Sequence, residues 1–513
     1  MGPARRAFVA ADTLPRDPAW VTEALSARFA LEAQAQSSSR TVWLDTADWR
    51  LHRAGLALNE RGRGARRELV LDDGAQAVTV TQAARPTWPA LLGQLPGPFL
   101  QSRLAPVIGV RAVQAMAEVE GRCSHWRLLD GEGKTVVRLS VEDSRLIHPR
   151  PALLPLRITV DAVRGYEPEL ERGAALLRCI AGVADAAGSA REAALGAAGY
   201  DPQIRPGNLD LALDAGAPAA WSVAAILMRT LETMQRNLDG VLADVDTEFL
   251  HDFRVAVRQT RAVLKTTAGA LPDDVAQRFG ADWRWLGQVT APVRDLDVAL
   301  LGLAGQSGEL AAEGLHHLEP LREHLVRQRR SQFRRLRAAL AAPRLSAMLD
   351  DWSAVLTAIP GSDVTQQSTA ELAAERIRRW QQRVAKHARS LSAESDAQSL
   401  HELRKRCKEL RYVSEAFASV HGAGRRGRLT KALKRLQDVL GEIQDAQVHR
   451  NLLTTFATAT RPVPEPATLL VVGALLDRLG ARQRSAAAKL PEALDRFSAA
   501  AKTGRRRNAM ASP

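Results

Sequence analysis

Two rhythms of apolar and polar positions divide the chain. Up to about residue 200 the apolar residues come in short alternating runs, at 41–44, 68–71, 78–81, 136–141 and 156–160, with Gly and Pro between them. Period-two alternation interrupted by turn residues marks half-buried strands. Residues 1–200 are therefore expected to form an α+β domain on an antiparallel sheet, β-barrel or tunnel-like, with a few helices. One helical stretch is expected over about 170–198. The Pro- and Gly-bearing segment Asp201-Pro-Gln-Ile-Arg-Pro-Gly207 reads as a connector, taken over 201–212. Beyond it Pro is sparse and apolar positions recur at helical spacing, which predicts an all-α domain over 213–500. The end, 501–513, holding Lys502-Thr-Gly-Arg-Arg-Arg-Asn508, is expected to be a disordered basic tail.

The helical part contains an internal duplication. Leu250-His251-Asp-Phe-Arg254-Val-Ala-Val-Arg258-Gln-Thr-Arg261 matches Leu400-His401-Glu-Leu-Arg404-Lys-Arg-Cys-Lys408-Glu-Leu-Arg411 at an offset of 150. The same offset carries Arg229 and Arg236 onto Arg379 and Lys386, Arg294-Asp295 onto Gln444-Asp445, and Val298 onto Val448. An ungapped offset held over about 70 residues predicts two copies of one helical unit, about 213–350 and 365–500, side by side.

Spacing inside each copy has a chemical meaning. His251, Arg254, Arg258, Arg261 and Lys265 advance by steps of three and four, so they share one helix face. His401, Arg404, Lys408 and Arg411 repeat the pattern. One position earlier, Leu250, Phe253, Val257 and Leu264 form an apolar stripe, mirrored by Leu400, Leu403, Cys407 and Leu410. Each helix is thus expected to anchor by one stripe and present cations on the next. Arg327, Arg330, Arg334 and Arg337 use the same spacing, as do Arg376, Arg379, Arg383 and Lys386; Arg428, Lys431 and Lys434 add a further basic run. Like charges three and four apart each cost a helix roughly 0.2–0.5 kcal/mol. Their recurrence on several helices points to a bound polyanion rather than a solvated face.

Charge sharpens this picture. The chain holds 71 Lys+Arg against 57 Asp+Glu, a net of +14. Residues 1–204 carry 25 basic and 23 acidic side chains, so almost all the excess lies in the helical part. Only nine of the 71 cations are Lys, and the guanidinium fork matches phosphate oxygens bidentately where an ammonium cannot. Cys123, Cys179 and Cys407 lack metal or disulfide spacing, and no 18-residue apolar run or signal peptide is present, so a cytoplasmic protein without a membrane partner is expected. Cys407 lies between Arg406 and Lys408, which could lower its pKa; a plain half-buried thiol is the commoner outcome.

A cationic row over two helical turns is about 10–16 Å long and suits successive phosphates. Aromatics make up 4% of the chain and none interrupts the cationic stripes, so stacking platforms for single-stranded bases are missing from them. No helix-turn-helix or zinc-finger pattern appears, which leaves no specific nucleic-acid partner. Inorganic polyphosphate fits better. His251 and His401 are expected to offer neutral rings that donate to phosphate. Asp295 and Asp445, with Arg294, are expected to orient facing Arg or His side chains. No cofactor, metal ion or catalytic residue is expected; the His251-Asp252 doublet of metal-dependent phosphohydrolases is not repeated at His401-Glu402.

The two copies resemble the CHAD family, which shows His-x-x-Arg-x-x-x-Arg/Lys-x-x-Arg followed by Arg-Asp-x-Asp-Val. Here the second motif reads Arg294-Asp-Leu-Asp-Val298 and Gln444-Asp-Ala-Gln-Val448, and the resemblance spans about 215–500. It implies two pseudo-symmetric helical bundles around a basic groove, polyphosphate as ligand, and association with polyphosphate granules. CHAD domains often follow a CYTH domain, a β-tunnel triphosphatase. The segment from Trp43 to Arg61 resembles that family's Tyr-Asp-Thr…Leu-Arg-x-Arg, but Asn59 replaces the first Arg. The family's opening Glu-x-Glu-x-Lys, whose acids hold the metal, has no counterpart in Arg5-Arg-Ala-Phe-Val-Ala10. Residues 1–200 thus resemble a degenerate CYTH domain, expected to be inactive. The alternatives are a triphosphatase with atypical metal ligands and a helical nucleic-acid binder.

Overall fold

The structure is a computed structural model that describes residues 4–63, 66–74, 77–82, 87–202, 209, 211–307, 316–361, 367–392, 395–420 and 423–509. The chain divides into two compact units, Met1–Pro206 and Gly207–Pro513. Of the expected connector, 203–208 and 210 lie outside the described residues, as do 510–513 of the expected tail.

The first unit is an antiparallel sheet. Its strands are β1 (Arg5–Ala10), β2 (Ala30–Ala33), β3 (Ser37–Thr46), β4 (Ala57–Arg63), β5 (Arg66–Asp72), β6 (Ala77–Gln82), β7 (Val113–Leu129), β8 (Thr135–His148), β9 (Ala152–Leu153), β10 (Arg157–Ala162) and β11 (Val183–Asp185). They lie in the order β11-β1-β10-β8-β7-β3-β4-β5-β6, with β2 added to β7 and β9 to β8. Five helices cover the sheet: α1 (Ala19–Ser26), α2 (Arg50–Arg53), α3 (Pro98–Ile108), α4 (Glu167–Arg178) and α5 (Ala190–Ala197). Alternation fixes which side chains go inward. Phe8, Leu139, Ile158 and Val160 meet Leu25, Leu170 and Leu177 of α1 and α4 in one cluster. Leu44, Leu58 and Leu69 meet Leu100 and Leu104 of α3 in another. Strands β8, β7, β3, β4 and β5 together line a cleft of about 700 Å³ that holds Arg40, Arg67, Arg122, Arg145, Glu120 and Asp143.

In the segment singled out for its resemblance, Asp45 is buried. It accepts from the backbone N–H groups of Thr46, Leu51 and His52 and pairs with Arg191 at 3.0 Å. Asp45 therefore caps α2 and ties α5 to it. Asp161, the acid on β10, is paired with Arg5 across the β1–β10 ladder. Among the described residues no cluster of three or more His, Cys, Asp or Glu could hold a metal ion.

The second unit is helical: α6 (Ala219–Leu242), α7 (Thr247–Thr266), α8 (Asp273–Val289), α9 (Ala291–Ser307), α10 (Glu319–Ala341), α11 (Pro343–Ala358), α12 (Thr369–Ala388), α13 (Ala397–Ala416), α14 (Ala423–Ala459) and α15 (Pro466–Ala509). The offset of 150 reappears in the element bounds. Helices α6 and α12 start at 219 and 369; α7 and α13 run 247–266 and 397–416; α8 and α14 start at 273 and 423. The N-caps match as well. Asp246 accepts from the N–H groups of Glu248 and Phe249, and Asp396 from that of Ser399.

The copies differ where prolines differ. The first copy breaks between α8 and α9 at Thr290, whereas α14 runs unbroken through the equivalent stretch. Pro292, whose counterpart is Glu442, has no N–H to give and its ring crowds the carbonyl four residues earlier. Helix α15 continues through Ala509, so 501–509 carry helical backbone rather than the disordered tail expected from their composition.

The copies are related by a local two-fold. Ala219 N–H donates to the Gln367 carbonyl and Thr369 N–H to the Ala217 carbonyl, forming an antiparallel bridge between Pro218 and Ser368. Each residue here bonds to the counterpart of its own partner, which is the signature of a two-fold contact. On the same principle α6 packs against α12 and α7 against α13.

Candidate functional site

Helices α7 and α13 bring the two cationic rows to one seam. The apolar stripes anchor them as their spacing dictates. Leu250, Phe253, Val257, Leu400, Leu403, Cys407 and Leu410 are buried, and Leu264 is half-buried. Burial also takes in Ala256, Gln259 and Thr260, so the face left for cations is narrow. Arg254, Arg258, Arg404, Lys408 and Arg411 are consequently half-buried, while Arg261 and Lys265 are exposed.

Each cation is held differently. Arg254 donates through Nη1 to the Gly287 carbonyl at 3.1 Å and to Thr290 Oγ1 at 2.7 Å, the point where α8 ends. Its Nε is buried without a hydrogen-bond partner. Burial, with Arg258 beside it, lowers its pKa to about 10. Arg258 Nε lies 3.5 Å from Tyr412 Oη of the facing helix. Arg404 reaches Gln444 Oε1 at 3.3 Å and Asp445 Oδ1 at 3.2 Å. Arg411 sits over the Tyr412 ring and 3.5 Å from Glu415, with its Nε buried.

Lys408 lies at the centre. Burial lowers its pKa to about 8, and Arg404, Arg258 and Arg411 push the same way; Asp445 alone among the named neighbours opposes them. Arg258 and Lys408 are counterparts in the two copies, so the two-fold brings like charges face to face. The sequence places Lys265 in the same row, but it donates to Glu409 at 2.6 Å and lies 5.4 Å from the Trp380 ring. Its charge already has an acidic partner, and its counterpart in the second copy is Glu415.

The remaining predicted residues sit elsewhere or do other work. His251 is half-buried at the start of α7. His401, also half-buried, lines a separate cleft of about 420 Å³ between α13 and α14. Arg294 donates to the Thr247 carbonyl and reaches Glu248 at 3.4 Å, pinning α9 to the first turn of α7. Asp295 lies near Arg254 and Arg294, and Asp445 pairs with Arg404, the matching place in each copy.

Arg229 is engaged with Glu232 one turn along α6, where Arg236 is exposed. On α10, Arg327, Arg330 and Arg334 are exposed around a hollow that includes Phe333; Arg337 is exposed further along. On α12, Arg379, Arg383 and Lys386 are exposed, and Arg383 lies 4.8 Å from the Trp380 ring. Arg428, Lys431 and Lys434 are exposed on α14. Among the described residues none of the basic side chains named on α10, α12 and α14 pairs with a seam residue.

Two features escaped the sequence reading. Arg329, next to the α10 row, is clamped between Asp244 and the buried Asp297 at 2.6–2.7 Å, and both acids hold its pKa above the ordinary value. Asp297 stood inside the Arg-Asp-x-Asp-Val segment, which could have flagged it. Buried Gln437 donates to the Cys407 carbonyl at 2.7 Å, and nothing in the local pattern marked it. Cys407 itself is fully buried and its thiol is pushed up to about 12, so its basic neighbours do not activate it.

No helix in the described residues is long and apolar enough to cross a membrane. Comparison with known proteins matches residues 225–454 to the CHAD domain. No curated protein matches the chain. Among solved structures, the CHAD domain from the plant Ricinus communis is 28% identical, covering 57% of this chain and 94% of its own, with a TM-score of 0.47. PptA from Streptomyces chartreusis is 17% identical over 54% of this chain and 100% of its own, with a TM-score of 0.44. A Hippeastrum adenylyl cyclase candidate, described as having a dominant triphosphatase activity, is 14% identical over 37% of this chain and 92% of its own, with a TM-score of 0.25. Residues 225–454, the duplicated helices and the seam between them, are a CHAD domain.

Proposed function

We propose that the seam between α7 and α13 binds inorganic polyphosphate. The observation that carries this is the crowding at Lys408, where Arg258, Arg404 and Arg411 act on one ammonium and, among the named neighbours, Asp445 alone offsets them. The fold holds these charges together against their repulsion and against burial. A bound phosphate chain would relieve both costs at once.

The local two-fold narrows the ligand further. A site whose two halves are related by a two-fold reads a chain identically in either direction. A phosphate polymer has no direction, whereas a single RNA strand runs 5′ to 3′ and presents different groups when reversed. Arg254, Arg258 and Arg261 with Arg404, Lys408 and Arg411 are the primary contacts in this reading. Lys265 contributes less, because Glu409 already holds it. A protein with this ligand is expected to sediment with polyphosphate granules.

The test is a salt titration of binding to long-chain polyphosphate, with single-stranded RNA as competitor. The comparison protein carries Arg254→Ala, Arg258→Ala, Arg404→Ala and Lys408→Ala, its helicity checked by circular dichroism. Binding that survives excess RNA and collapses in the variant, with a shallower salt slope, supports the seam. Equal displacement by RNA, or an unchanged variant, would end the polyphosphate reading.

A further inference from the structure

The cleft beside His401 belongs to the second copy. In the first copy Arg294 fills the corresponding space, pairing with Glu248, and Asp297 pairs with Arg329. At offset 150 the second copy has Gln444, Gln398 and Gln447 in place of Arg294, Glu248 and Asp297. Ion pairs give way to amides, and a cleft of about 420 Å³ opens over an apolar floor of Leu400, Leu440, Ile443 and Val448.

Hydrogen bonds orient four of the five amides that line the cleft. A guanidinium can only donate, so each amide it touches must offer its oxygen. Arg450 donates to Gln483 Oε1 at 2.9 Å, which leaves Gln483 Nε2 to donate to Gln447 Oε1 at 3.1 Å. Gln447 Nε2 in turn donates to Asn451 Oδ1 at 2.8 Å. Arg404 occupies Gln444 Oε1. These four amide oxygens each accept a hydrogen bond within the protein, and N–H groups of Gln444, Gln447, Asn451 and Gln483 remain to donate; Gln398 is a fifth amide on the wall. The cleft offers these neutral donors beside the Lys405 ammonium, which also lines it. Its one lining carboxylate, Glu402, is held by Lys405 at 2.7 Å.

Amide N–H groups beside an ammonium suit oxygens that bear no proton, as on the internal phosphates of a polymer. Arg404 stands at the border, bonded to Gln444 on the cleft side and facing Lys408 on the seam side. We propose that the polyphosphate chain bound at the seam runs past Arg404 into this cleft, where its internal phosphates accept from the amide N–H groups. The inference rests on the polyphosphate reading of the seam and adds a one-sided extension to it. Long chains then gain contacts on the second copy that short chains do not reach.

The test uses the full chain with Gln447→Leu and Asn451→Leu together, neither of which touches Arg404, and long-chain polyphosphate, tripolyphosphate and sulfate as probes. Neutral hydrogen bonds contribute to affinity without releasing counterions. The expected result is a loss of about tenfold for the long chain, an unchanged salt slope, and unchanged tripolyphosphate binding. Unaltered long-chain affinity in the double variant would overturn the cleft while leaving the seam standing. An equal loss for tripolyphosphate would overturn the extension. So would sulfate that saturates the cleft alongside bound long chain, which would make it a separate small-oxyanion site. Failure of the wild type to bind long chains would instead remove the seam reading itself.

Discussion

Polyphosphate binding at the seam should weaken as pH rises through 8, and Lys408 sets the size of the effect. Burial and the three flanking guanidiniums lower its pKa to about 8 in the free protein. A phosphate beside it would restore the ordinary lysine value of about 10.4. Below pH 8 the side chain is charged with or without ligand, so affinity is flat. Above pH 8 the free protein has lost a proton that binding must return. Affinity should therefore fall about tenfold between pH 7 and pH 9, or about 1.4 kcal/mol. Calorimetry at pH 8 in buffers of different ionisation enthalpy should register uptake of about half a proton per site.

The Lys408→Arg variant keeps its charge and should show neither effect. Arg254, lowered to about 10, begins to titrate only above this window. Without ligand the sign reverses. The unfolded chain holds the Lys408 proton up to about pH 10.4 and the folded one releases it near 8, so stability relative to Lys408→Arg should rise over that interval. A wild-type affinity that stays level from pH 7 to 9, or an equal decline in the arginine variant, would refute the reasoning.

Two further expectations concern the scaffold. Arg329→Ala strands the buried Asp297 carboxylate and should cost about 3–5 kcal/mol in denaturant unfolding, while Arg330→Ala, exposed one residue away, should stay within about 0.5 kcal/mol. Gly240→Ala sets a methyl 2.3–2.5 Å from the Phe249 ring and should destabilise by about 1–3 kcal/mol, whereas Gly280→Ala meets nothing within 4 Å in α8 and should stabilise by about 0.5–1 kcal/mol, both read as shifts in denaturation midpoint.

The sequence by itself determined the two kinds of architecture and the duplication. Period-two and period-3.6 patterns depend on local backbone geometry, so the strands, the helices and the cationic faces of α7 and α13 could be read one segment at a time. The offset of 150 survived intact into the helix bounds and the matching Asp246 and Asp396 caps, because a repeated sequence repeats its local signals.

What a given cation does was settled only by tertiary contacts. Arg254 and Arg294 look alike in the sequence, yet one borders the seam and the other pins a helix start, because each depends on a partner distant along the chain. Lys265 belongs to the row by spacing and leaves it by its bond to Glu409, 144 residues away. The row on α10 shares the spacing of the α7 row, but a single-helix pattern cannot say which helix faces another across the two-fold. The amide cleft was hidden for the same reason. Replacing Arg294 by Gln444 reads as a weakened motif until the fold shows which space the missing guanidinium had filled.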